Sequence, residues 1–375
     1  MLVTQQFLRS GGSLEALKQQ YAINYRVDEF LGVVCLNYNQ IESPMTEPIV
    51  QECRQLILYL DDYSVASISF KKFFNFAENK TPDFDWSNFK TYEKLDGSLI
   101  TLWFHRYHGW QIATRSVPDG SAPLGDLDLT FKDLVIRTLA DMGTSLQELT
   151  KHLDSRYSYM FELMTPENQV VVHHKTRKLV LLSRRSLREP HYMESSMDNW
   201  MGLNPSFPVP VVHLYEGFSM EAVTASVQER NPLEHEGYVL LDGNYNRVKV
   251  KSDAYCLMSH QRDGLGKSNR ARMDLIFSDK VDDVIGLLPQ FVQEKIISLQ
   301  SGLNSLVQSI NESYEQIKTI ETQKDFAAEA LKFKYSAALF ALRSGRVSDP
   351  LEWLKSSSVK NVLGWLNIVE EEVSE

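Results

Sequence analysis

Residues 92–99 decide how this sequence is interpreted, and they read Tyr92-Glu93-Lys94-Leu95-Asp96-Gly97-Ser98-Leu99. A Lys-x-Asp-Gly pattern therefore stands directly before Leu99–Arg106, a run of strand-forming residues. The pattern alone is weakly informative, because about one chain in ten of this length would contain it by chance at average residue usage. It is also typical of a plain turn, in which Asp96 and Gly97 form the bend and Lys94 lies in solvent. Charged residues further along the chain are needed to choose between a turn and a chemical role.

Two carboxylates accompany strand-like segments downstream. Glu162 lies inside the apolar run Met160–Met164, where a carboxylate is disfavoured unless it meets a cation or a ligand. Glu236 stands just ahead of a second strand candidate, Tyr238–Leu241. The position of Glu162 in particular indicates a cation or a bound ligand beside its strand.

The segment Arg247–Lys251 alternates strictly between cationic residues and valine. On a strand, Arg247, Lys249 and Lys251 would line one face while the valines enter the core. Three cations on one face repel each other, and two explanations remain open. The face could be a solvated edge, or it could hold an anion such as a nucleotide phosphate, which explains the spacing better.

Composition limits the classes of protein that fit. The 375 residues include 39 basic and 49 acidic side chains, for a net charge of −10. A globally basic nucleic-acid coat is therefore excluded, although a local basic groove is not. No apolar run approaches about 18 residues, so we expect no membrane-spanning helix. Three scattered cysteines are too few for a disulfide framework or a zinc cluster, which favours a reduced, cytoplasmic protein.

The chain changes character near residue 260. Before it, strand-like runs alternate with turn signals, and the candidates are Leu99–Arg106, Trp110–Ser116, Tyr157–Met164, Gln169–His174, Leu179–Arg185, Tyr238–Leu241 and Arg247–Lys251. After it, helical apolar spacing appears in Asp282–Asn311, Glu312–Leu342 and Leu351–Glu371, with breaks at Pro289, Gly345 and Pro350. We therefore predict an α+β fold, with antiparallel sheets and helices in a first domain at residues 1–258 and an all-α domain at residues 259–375.

Two short motifs suggest other chemistry and are rejected. Gly264–Ser268 resembles the end of a phosphate-binding P-loop, but Gln261 stands where the first glycine belongs and no strand leads into it. His173 and His174 are adjacent in a strand candidate, and neighbouring residues on a strand point to opposite faces. A metal ion shared by these two histidines is therefore not expected.

Taken together, the charged elements resemble the covalent nucleotidyltransferase superfamily of polynucleotide ligases and RNA-capping enzymes. Their order and spacing fit the motifs of that superfamily, which are matched by Lys94-Leu95-Asp96-Gly97, Phe161-Glu162, Glu236-Gly237-Tyr238-Val239 and Lys249-Val250-Lys251. Further segments are similar to the phage-type RNA ligase 1 family, namely Glu52-Cys53-Arg54, Lys72-Phe73-Phe74-Asn75, Thr165-Pro166-Glu167-Asn168 and Lys249-Val250-Lys251-Ser252-Asp253. The resemblance covers about residues 50–255, and it implies a nucleotidyltransferase (ATP-grasp-like ligase) fold for the first domain.

The resemblance implies an ATP-dependent RNA ligase that joins 5′-phosphate and 3′-hydroxyl RNA ends through enzyme–lysyl-AMP and RNA-adenylate intermediates. The implied cofactors are ATP and Mg²⁺, with Mn²⁺ as a substitute. The implied RNA partner is a tRNA broken in its anticodon loop, and the implied functional partner is a polynucleotide kinase/phosphatase. Because all of these motifs end by Lys251, we expect the helical domain to select the RNA and not to perform the chemistry. The enzyme would act in the cytoplasm, that of a host cell if a phage encodes it.

The resemblance also implies roles for individual residues. Lys94 would be the nucleophile, assisted by Asp96, Lys249 and Lys251. The residues implied to bind the nucleotide are Arg54, Lys72, Phe74, Glu93, Gly97, Glu162, Gly237, Lys249 and Lys251. The residues implied to hold the metal are Glu236, Glu162 and Asp96, and for Glu162 the ribose hydroxyl is the alternative ligand.

Two departures and three rival functions stay open. Leu95 stands where the family usually has an acidic residue, and Thr114-Arg115-Ser116 replaces a lysine-rich element, which leaves the role of Arg115 open.

A DNA ligase or a capping guanylyltransferase of the same superfamily would carry an OB-type β-barrel after the last motif, where this chain is predicted to be helical. A non-catalytic RNA-binding protein that retains the fold would not need an intact Lys94. The basic stretch Arg262–Arg272 could contact phosphates or be a solvated linker.

Overall fold

The computed structural model describes residues 1–39, 42–76, 83–124, 127–168, 170–195, 197, 200–252, 255–256, 264–265, 268–285, 288 and 290–368. The chain divides into two compact units, Met1–Cys256 and Leu257–Glu375. No helix within the described ranges is long and apolar enough to cross a bilayer.

The first unit combines strands with short helices. Its strands are β1 (Ile23–Asp28), β2 (Val33–Tyr38), β3 (Arg54–Tyr59), β4 (Val65–Ile68), β5 (Phe74–Asn75), β6 (Phe89–Lys94), β7 (Ser98–His105), β8 (Gly109–Ala113), β9 (Pro123–Leu124), β10 (Leu127–Thr130), β11 (Tyr157–Met164), β12 (Lys178–Ser186), β13 (Glu194–Ser195), β14 (Leu214–Tyr215), β15 (Gly237–Asp242) and β16 (Arg247–Lys251). Its helices are α1 (Val3–Arg9), α2 (Leu14–Tyr21), α3 (Pro48–Glu52), α4 (Phe131–Asp141), α5 (Leu146–Thr150), α6 (Trp200–Leu203) and α7 (Met220–Glu229).

Three sheets and a small β9–β10 pair organise these strands. The N-terminal sheet has the order β1-β2-β3-β4, and the central sheet has the order β13-β12-β11-β7-β8. The third, here called the lysine sheet, has the order β14-β6-β15-β16-β5. The strand pairs are antiparallel except β16 with β5, which is parallel. The predicted antiparallel α+β architecture is therefore confirmed.

The central and lysine sheets face each other across a buried apolar cluster. It includes Tyr92 and Leu241 from the lysine sheet, and Met164 and Val180 from the central sheet. The opposite side of the central sheet is covered by α4, whose Leu134, Val135 and Leu139 are buried. Since burial of such side chains contributes about 1.5–3 kcal/mol each, the sheets are held as rigid walls on either side of the cluster.

Most strand predictions agree with the structure, and one is wrong. The predicted Tyr157–Met164 and Arg247–Lys251 coincide with β11 and β16, and β7 and β8 form the predicted hairpin around Tyr107. The predicted strand Gln169–His174 is wrong for its described residues, which form a loop. The amides of Val171 and Val172 donate to a side chain elsewhere in the chain and not to a neighbouring strand.

The second unit is helical where it is described. Its helices are α8 (Asn269–Phe277), α9 (Val281–Val284), α10 (Gln290–Ile317), α11 (Gln323–Ala330), α12 (Ser336–Arg343), α13 (Pro350–Ser356) and α14 (Val359–Trp365). The predicted helical character is confirmed, and the structure adds helix boundaries inside the segments Glu312–Leu342 and Leu351–Glu371 that the spacing did not predict. Thr322 and Ser358 cap new helices by accepting hydrogen bonds from Asp325 N and Asn361 N. Pro350 begins a helix, and Pro289 lies outside the described residues.

Candidate active site

The register of the lysine sheet brings the three predicted lysines onto one face. Residues directly opposite each other on neighbouring strands share a face. Two adjacent rows of such residues cross β6, β15 and β16. The first row is Lys94, Gly237 and Lys251, and the second row is Tyr92, Val239 and Lys249. Tyr92 belongs to the apolar cluster that contacts the central sheet. The lysine side chains therefore enter the crevice between the two sheets.

Glu236 forms ion pairs with two of these lysines. Its Oε2 accepts a hydrogen bond from Lys94 Nζ at 2.8 Å, and its Oε1 lies 2.9 Å from Lys251 Nζ. The side chains of Glu236 and Lys251 are 4% and 5% exposed, whereas that of Lys94 is 18% exposed. Burial opposes ionisation of Glu236, but the positive charges of Lys251 and Lys94 hold its pKa below the ordinary value. The pairing thus keeps a carboxylate ionised inside the protein, next to the most accessible of the three groups, Lys94.

Gly237 separates Lys94 from Lys251 in their row. Its φ is +151°, and a Cβ at this position would lie 2.0 Å from the carbonyl oxygen of Val250. Any side chain would therefore collide with the backbone of β16. The close pairing of β15 and β16 requires glycine here, and it leaves no side chain between the two lysines.

Glu162 enters the same crevice from the central sheet. It lies on β11 two residues before Met164, so both side chains are on the face that contacts the lysine sheet. Burial raises the pKa of Glu162 to about 8, and the negative charges of Glu236 and Asp96 add to this effect against the opposing charge of Lys94. The side chain keeps some exposure. Glu162 therefore favours its protonated form more than an exposed glutamate does, and a divalent cation beside it would favour ionisation.

Asp96 is buried, and its hydrogen bonds come from the loop after β11. Its Oδ2 accepts hydrogen bonds from Val171 N at 2.8 Å and from Val172 N at 2.6 Å. Burial raises the pKa of Asp96, and the negative charge of Glu236 raises it further. The carboxylate thus has one oxygen committed to the backbone. Any contact of Asp96 with a metal ion or a water molecule would therefore depend on its other oxygen, Oδ1.

Gly97 is required by the same turn. A Cβ on Gly97 would lie 2.3 Å from the carbonyl oxygen of Leu163, so a larger residue would push the turn away from β11. The glycine therefore allows the segment Lys94–Gly97 to pack directly on the strand that carries Glu162. A contact between Gly97 and a nucleotide, implied by the resemblance, stays a prediction.

A cluster of aromatic and cationic groups adjoins the lysines. The guanidinium carbon of Arg54 lies 4.7 Å from the centroid of the Phe73 ring, and Lys249 Nζ lies 5.7 Å from the same centroid. The positive charge of Arg54 also acts on Glu162 and opposes part of the rise in its pKa. Arg54 and Lys249 therefore converge on the Phe73 ring and place two positive charges at this side of the crevice.

Tyr38 is a member of this site that the sequence analysis missed. Lys72 Nζ lies 5.3 Å from its ring centroid and 5.5 Å from that of Phe74, while the guanidinium carbon of Arg115 lies 4.7 Å from Tyr38. Arg115 also donates a hydrogen bond to the Tyr38 carbonyl oxygen at 3.4 Å. Tyr38 ends β2 and belongs to no recognisable motif, so only the pairing of the N-terminal strands could have identified it.

The alternative of a solvated edge for β16 is wrong. This strand is paired on one side with β15 and on the other with β5, and Lys249 is 4% exposed. The third cation, Arg247, forms an ion pair with Glu194, and its guanidinium carbon lies 4.5 Å from the Phe70 centroid. Arg247 is therefore engaged in packing, whereas Lys249 and Lys251 face the crevice.

The structure does not bring Glu93 together with the lysines. It precedes Lys94 on β6, so its side chain points to the opposite face of the lysine sheet. There one carboxylate oxygen lies 3.4 Å from Nδ1 of His235. The proximity of His235 holds the pKa of Glu93 below its ordinary value. The role of Glu93 in nucleotide binding stays a prediction, and its carboxylate lies outside the crevice.

The carboxylates of the crevice fit a hard divalent cation. The pKa values of Glu162 and Asp96 are raised in part by the negative charge of Glu236, and a cation near them would relieve this repulsion. No group of three or more His, Cys, Asp or Glu side chains in the described part of the chain could hold a metal ion alone.

Comparison with known proteins identifies the family. Residues 52–255 match the model of a family described as RNA ligase. This match covers more than half of the 375 residues, so the chain belongs to the RNA ligase family. The matched region contains all the predicted site residues, from Arg54 to Lys251. The phage-type RNA ligase family inferred from the sequence is confirmed.

Individual relatives come from viruses and phages. A putative bifunctional polynucleotide kinase/RNA ligase of Autographa californica nuclear polyhedrosis virus is 29% identical over 347 residues, covering 83% of this chain and 47% of the viral protein. This chain thus spans about half the length of that relative. An RNA ligase of Rhodothermus phage RM378 is 24% identical over 324 residues, covering 71% of this chain and 72% of the phage protein. Among solved structures, an archaeal ATP-dependent RNA ligase has a TM-score of 0.47 at 13% identity, covering 84% of this chain and 82% of the other.

Proposed function

We propose that this protein is an ATP-dependent RNA ligase that joins 5′-phosphate and 3′-hydroxyl RNA ends. The observation that carries the proposal is the ion pairing of Glu236 with both Lys94 and Lys251 inside a crevice of an RNA ligase family member. Buried, paired charges are costly to maintain, and they are commonly retained where they perform chemistry. The accessible member, Lys94, is the nucleophile of the proposed reaction.

In the proposed first step, Lys94 Nζ attacks the α-phosphate of ATP. A bond forms between Nζ and phosphorus, the bond to the bridging oxygen breaks, and pyrophosphate leaves. An unperturbed lysine must first release a proton to solvent, at a cost of about 4 kcal/mol at neutral pH. The Glu236 carboxylate orients Nζ through the hydrogen bond at 2.8 Å, but its lowered pKa makes it a poor acceptor of that proton. The positive charges of Lys249 and Lys251 disfavour the ammonium form and stabilise the charge that builds on the phosphate.

Two further transfers complete the proposed reaction. The AMP moves from Lys94 to the 5′-phosphate of RNA, which restores the amine and forms an RNA-adenylate. The 3′-hydroxyl then attacks that 5′-phosphate, a phosphodiester bond forms and AMP leaves. We assign nucleotide and phosphate binding to Arg54, Lys72, Phe74, Glu93, Gly97, Glu162, Gly237, Lys249 and Lys251. Mg²⁺ or Mn²⁺, held through Glu236, Glu162 and Asp96, would neutralise phosphate charge when bound.

We also propose separate roles for the two domains of the chain. Residues 1–258 form the adenylyltransferase domain, because every motif of the catalytic set ends by Lys251. Residues 259–375 select the RNA, which we propose is tRNA broken in its anticodon loop. The name of the baculovirus relative pairs an RNA ligase with a polynucleotide kinase. This supports the proposal that a kinase/phosphatase prepares the ends that the present protein joins.

Incubation with labelled nucleotide tests the proposed function. We expect label from ATP, but not from GTP, to become covalently attached, and we expect addition of 5′-phosphorylated RNA to release it as sealed product. Label from GTP would favour a capping guanylyltransferase, and sealing of nicked DNA in preference to RNA would favour a DNA ligase. Absence of any covalent label would favour a non-catalytic RNA-binding protein and contradict the proposal.

A further inference from the structure

The loop Val171–His174 contacts both of the chain segments that carry the Lys94–Glu236 ion pair. Towards the lysine, the amides of Val171 and Val172 donate to Asp96 Oδ2 at 2.8 Å and 2.6 Å. On the other side, His173 N donates to the carbonyl oxygen of Leu233 at 3.1 Å. Asp96 follows Lys94 by two residues and Leu233 precedes Glu236 by three. One short loop therefore spans the two chain segments that carry the proposed nucleophile and its partner.

His174 supplies the side-chain contact in this arrangement. Its Nε2 lies 2.6 Å from the carbonyl oxygen of Asp96. A carbonyl oxygen can only accept a hydrogen bond, so Nε2 carries the proton and donates. The contact fixes the backbone directly after Lys94, at the turn whose next residue, Gly97, packs against the Leu163 carbonyl. The turn is thus held on one side by β11 and on the other by His174.

The neighbouring His173 gives a natural contrast. Its side chain is exposed, and its contribution to the loop is the backbone amide bonded to Leu233. Removal of the His173 side chain leaves that hydrogen bond in place. Removal of the His174 side chain deletes the contact with Asp96. Two adjacent histidines on the same loop therefore differ in whether the side chain reaches the turn that carries Lys94.

We propose that His174 is a positioning residue for the nucleophile: its hydrogen bond to the Asp96 carbonyl holds the Lys94 turn in the geometry needed for attack. The inference rests on the proposed ligase function and adds to it a residue outside the crevice chemistry. A displaced nucleophile slows the steps in which Lys94 forms or breaks a bond to phosphorus. It does not slow sealing of RNA that already carries the adenylate, since Lys94 forms no bond in that step.

The test compares His174→Ala, His174→Gln and His173→Ala in the full chain. Single-turnover formation of enzyme–AMP from labelled ATP should fall about tenfold in His174→Ala, with little change in the ATP concentration for half-maximal rate. Glutamine can donate from its terminal amide, so His174→Gln should stay within about threefold of wild type. His173→Ala should match wild type. All three variants should seal pre-adenylated RNA at the wild-type rate.

Several results would overturn the inference. Enzyme–AMP formation by His174→Ala equal to that of His173→Ala would show that the side chain positions nothing. Equal losses in adenylation and in sealing of pre-adenylated RNA would show a general folding role, as would failure of glutamine to restore adenylation. If wild-type protein forms no enzyme–AMP at all, the proposed function fails and the inference fails with it.

Discussion

The described parts of the two units differ in how many charged side chains they bury. In the first unit, the interior contains charged groups among the strands, including Lys72, Asp96, Glu236 and Lys249. In the second unit, helix-surface pairs are exposed, as in Lys318 with Glu315 and Lys332 with Glu329. The core of the second unit is dominated by aliphatic and aromatic side chains, such as Ile296, Ile310, Phe326, Leu339 and Leu363.

This difference matters because exposed charges cost the fold little free energy, whereas buried charges have a large desolvation cost. Exposed pairs at i,i+3 contribute at most about 0.5 kcal/mol and are ordinary features of helices. Buried ion pairs have large desolvation costs that a hydrophobic core would avoid. Among its described residues, the second unit contains one fully buried arginine, Arg272, whose Nε donates to the Leu265 carbonyl at 2.7 Å and so holds Leu265 against α8. The concentration of buried charge around Lys94 therefore indicates chemistry in the first unit.

The largest expected effect is at the centre of that charged interior. Lys94→Ala should abolish formation of enzyme–AMP and sealing of RNA with an unmodified 5′-phosphate, because it removes the proposed nucleophile. It should retain sealing of pre-adenylated RNA, which needs no lysyl intermediate. Gel analysis of labelled enzyme and of both RNA substrates measures this. Residual adduct in the variant would place the nucleophile elsewhere.

The buried lysines of β16 come next. Lys249→Ala and Lys251→Ala should each slow adenylation at least about tenfold, or about 1.4 kcal/mol in barrier, since each removes a cation that faces the phosphates. Lys90→Ala, on the exposed part of β6, is the matched control and should have the wild-type rate. Near-normal adduct formation in both β16 variants would mean that their burial serves packing alone.

Removal of the second unit should have a smaller effect on adenylation than on the choice of RNA. A chain ending at residue 256 should form enzyme–AMP within about threefold of the full chain, provided that circular dichroism shows it to be folded. Its preference for a nicked stem-loop over an unstructured oligonucleotide should be lost, because the selecting unit is absent. Unchanged preference would remove the proposed role of residues 259–375, and a folded but inactive chain would show that the helices support the catalytic domain.

The smallest expected effect concerns the pH dependence of stability. With a pKa of about 8 in the folded protein against an ordinary value of 4.5, Glu162 keeps a proton that the unfolded chain has released. Stability of the metal-free protein should therefore fall as pH rises from about 5 to about 8. Glu162→Gln removes this titration and should flatten the decline, whereas Glu29→Gln on the exposed surface should not. Thermal midpoints measured with a chelator present test this, and identical slopes for wild type and Glu162→Gln would contradict it.

Local patterns allowed the strands that carry the candidate site residues to be predicted accurately. β11 and β16 coincide with their predicted bounds because apolar residues in β11 and alternation in β16 are signals contained within each segment. Asp96 and Gly97 form the predicted turn before β7 for the same reason. The candidate site residues on these elements could be named from the sequence, and their convergence in one crevice follows from strand pairing, which the sequence does not contain.

Contacts between distant segments explain what was missed. Val171 and Val172 favour a strand by composition, yet their amides bond Asp96, which is 75 and 76 residues away. Tyr38 joins the site only because β2 is folded next to the segment around Lys72. Helix boundaries inside two segments of the second unit were not predicted because Thr322 and Ser358, both within predicted helical spacing, cap new helices.

Mapping the site of adenylation tests the central claim most directly. Wild-type protein is incubated with ATP and a divalent metal, the enzyme–AMP is digested, and the modified peptide is sequenced by mass spectrometry. The account predicts a single AMP on the Nζ of Lys94, at the accessible end of the Glu236 ion-pair cluster. AMP on another lysine, or a protein that seals RNA without any covalent AMP, would contradict it.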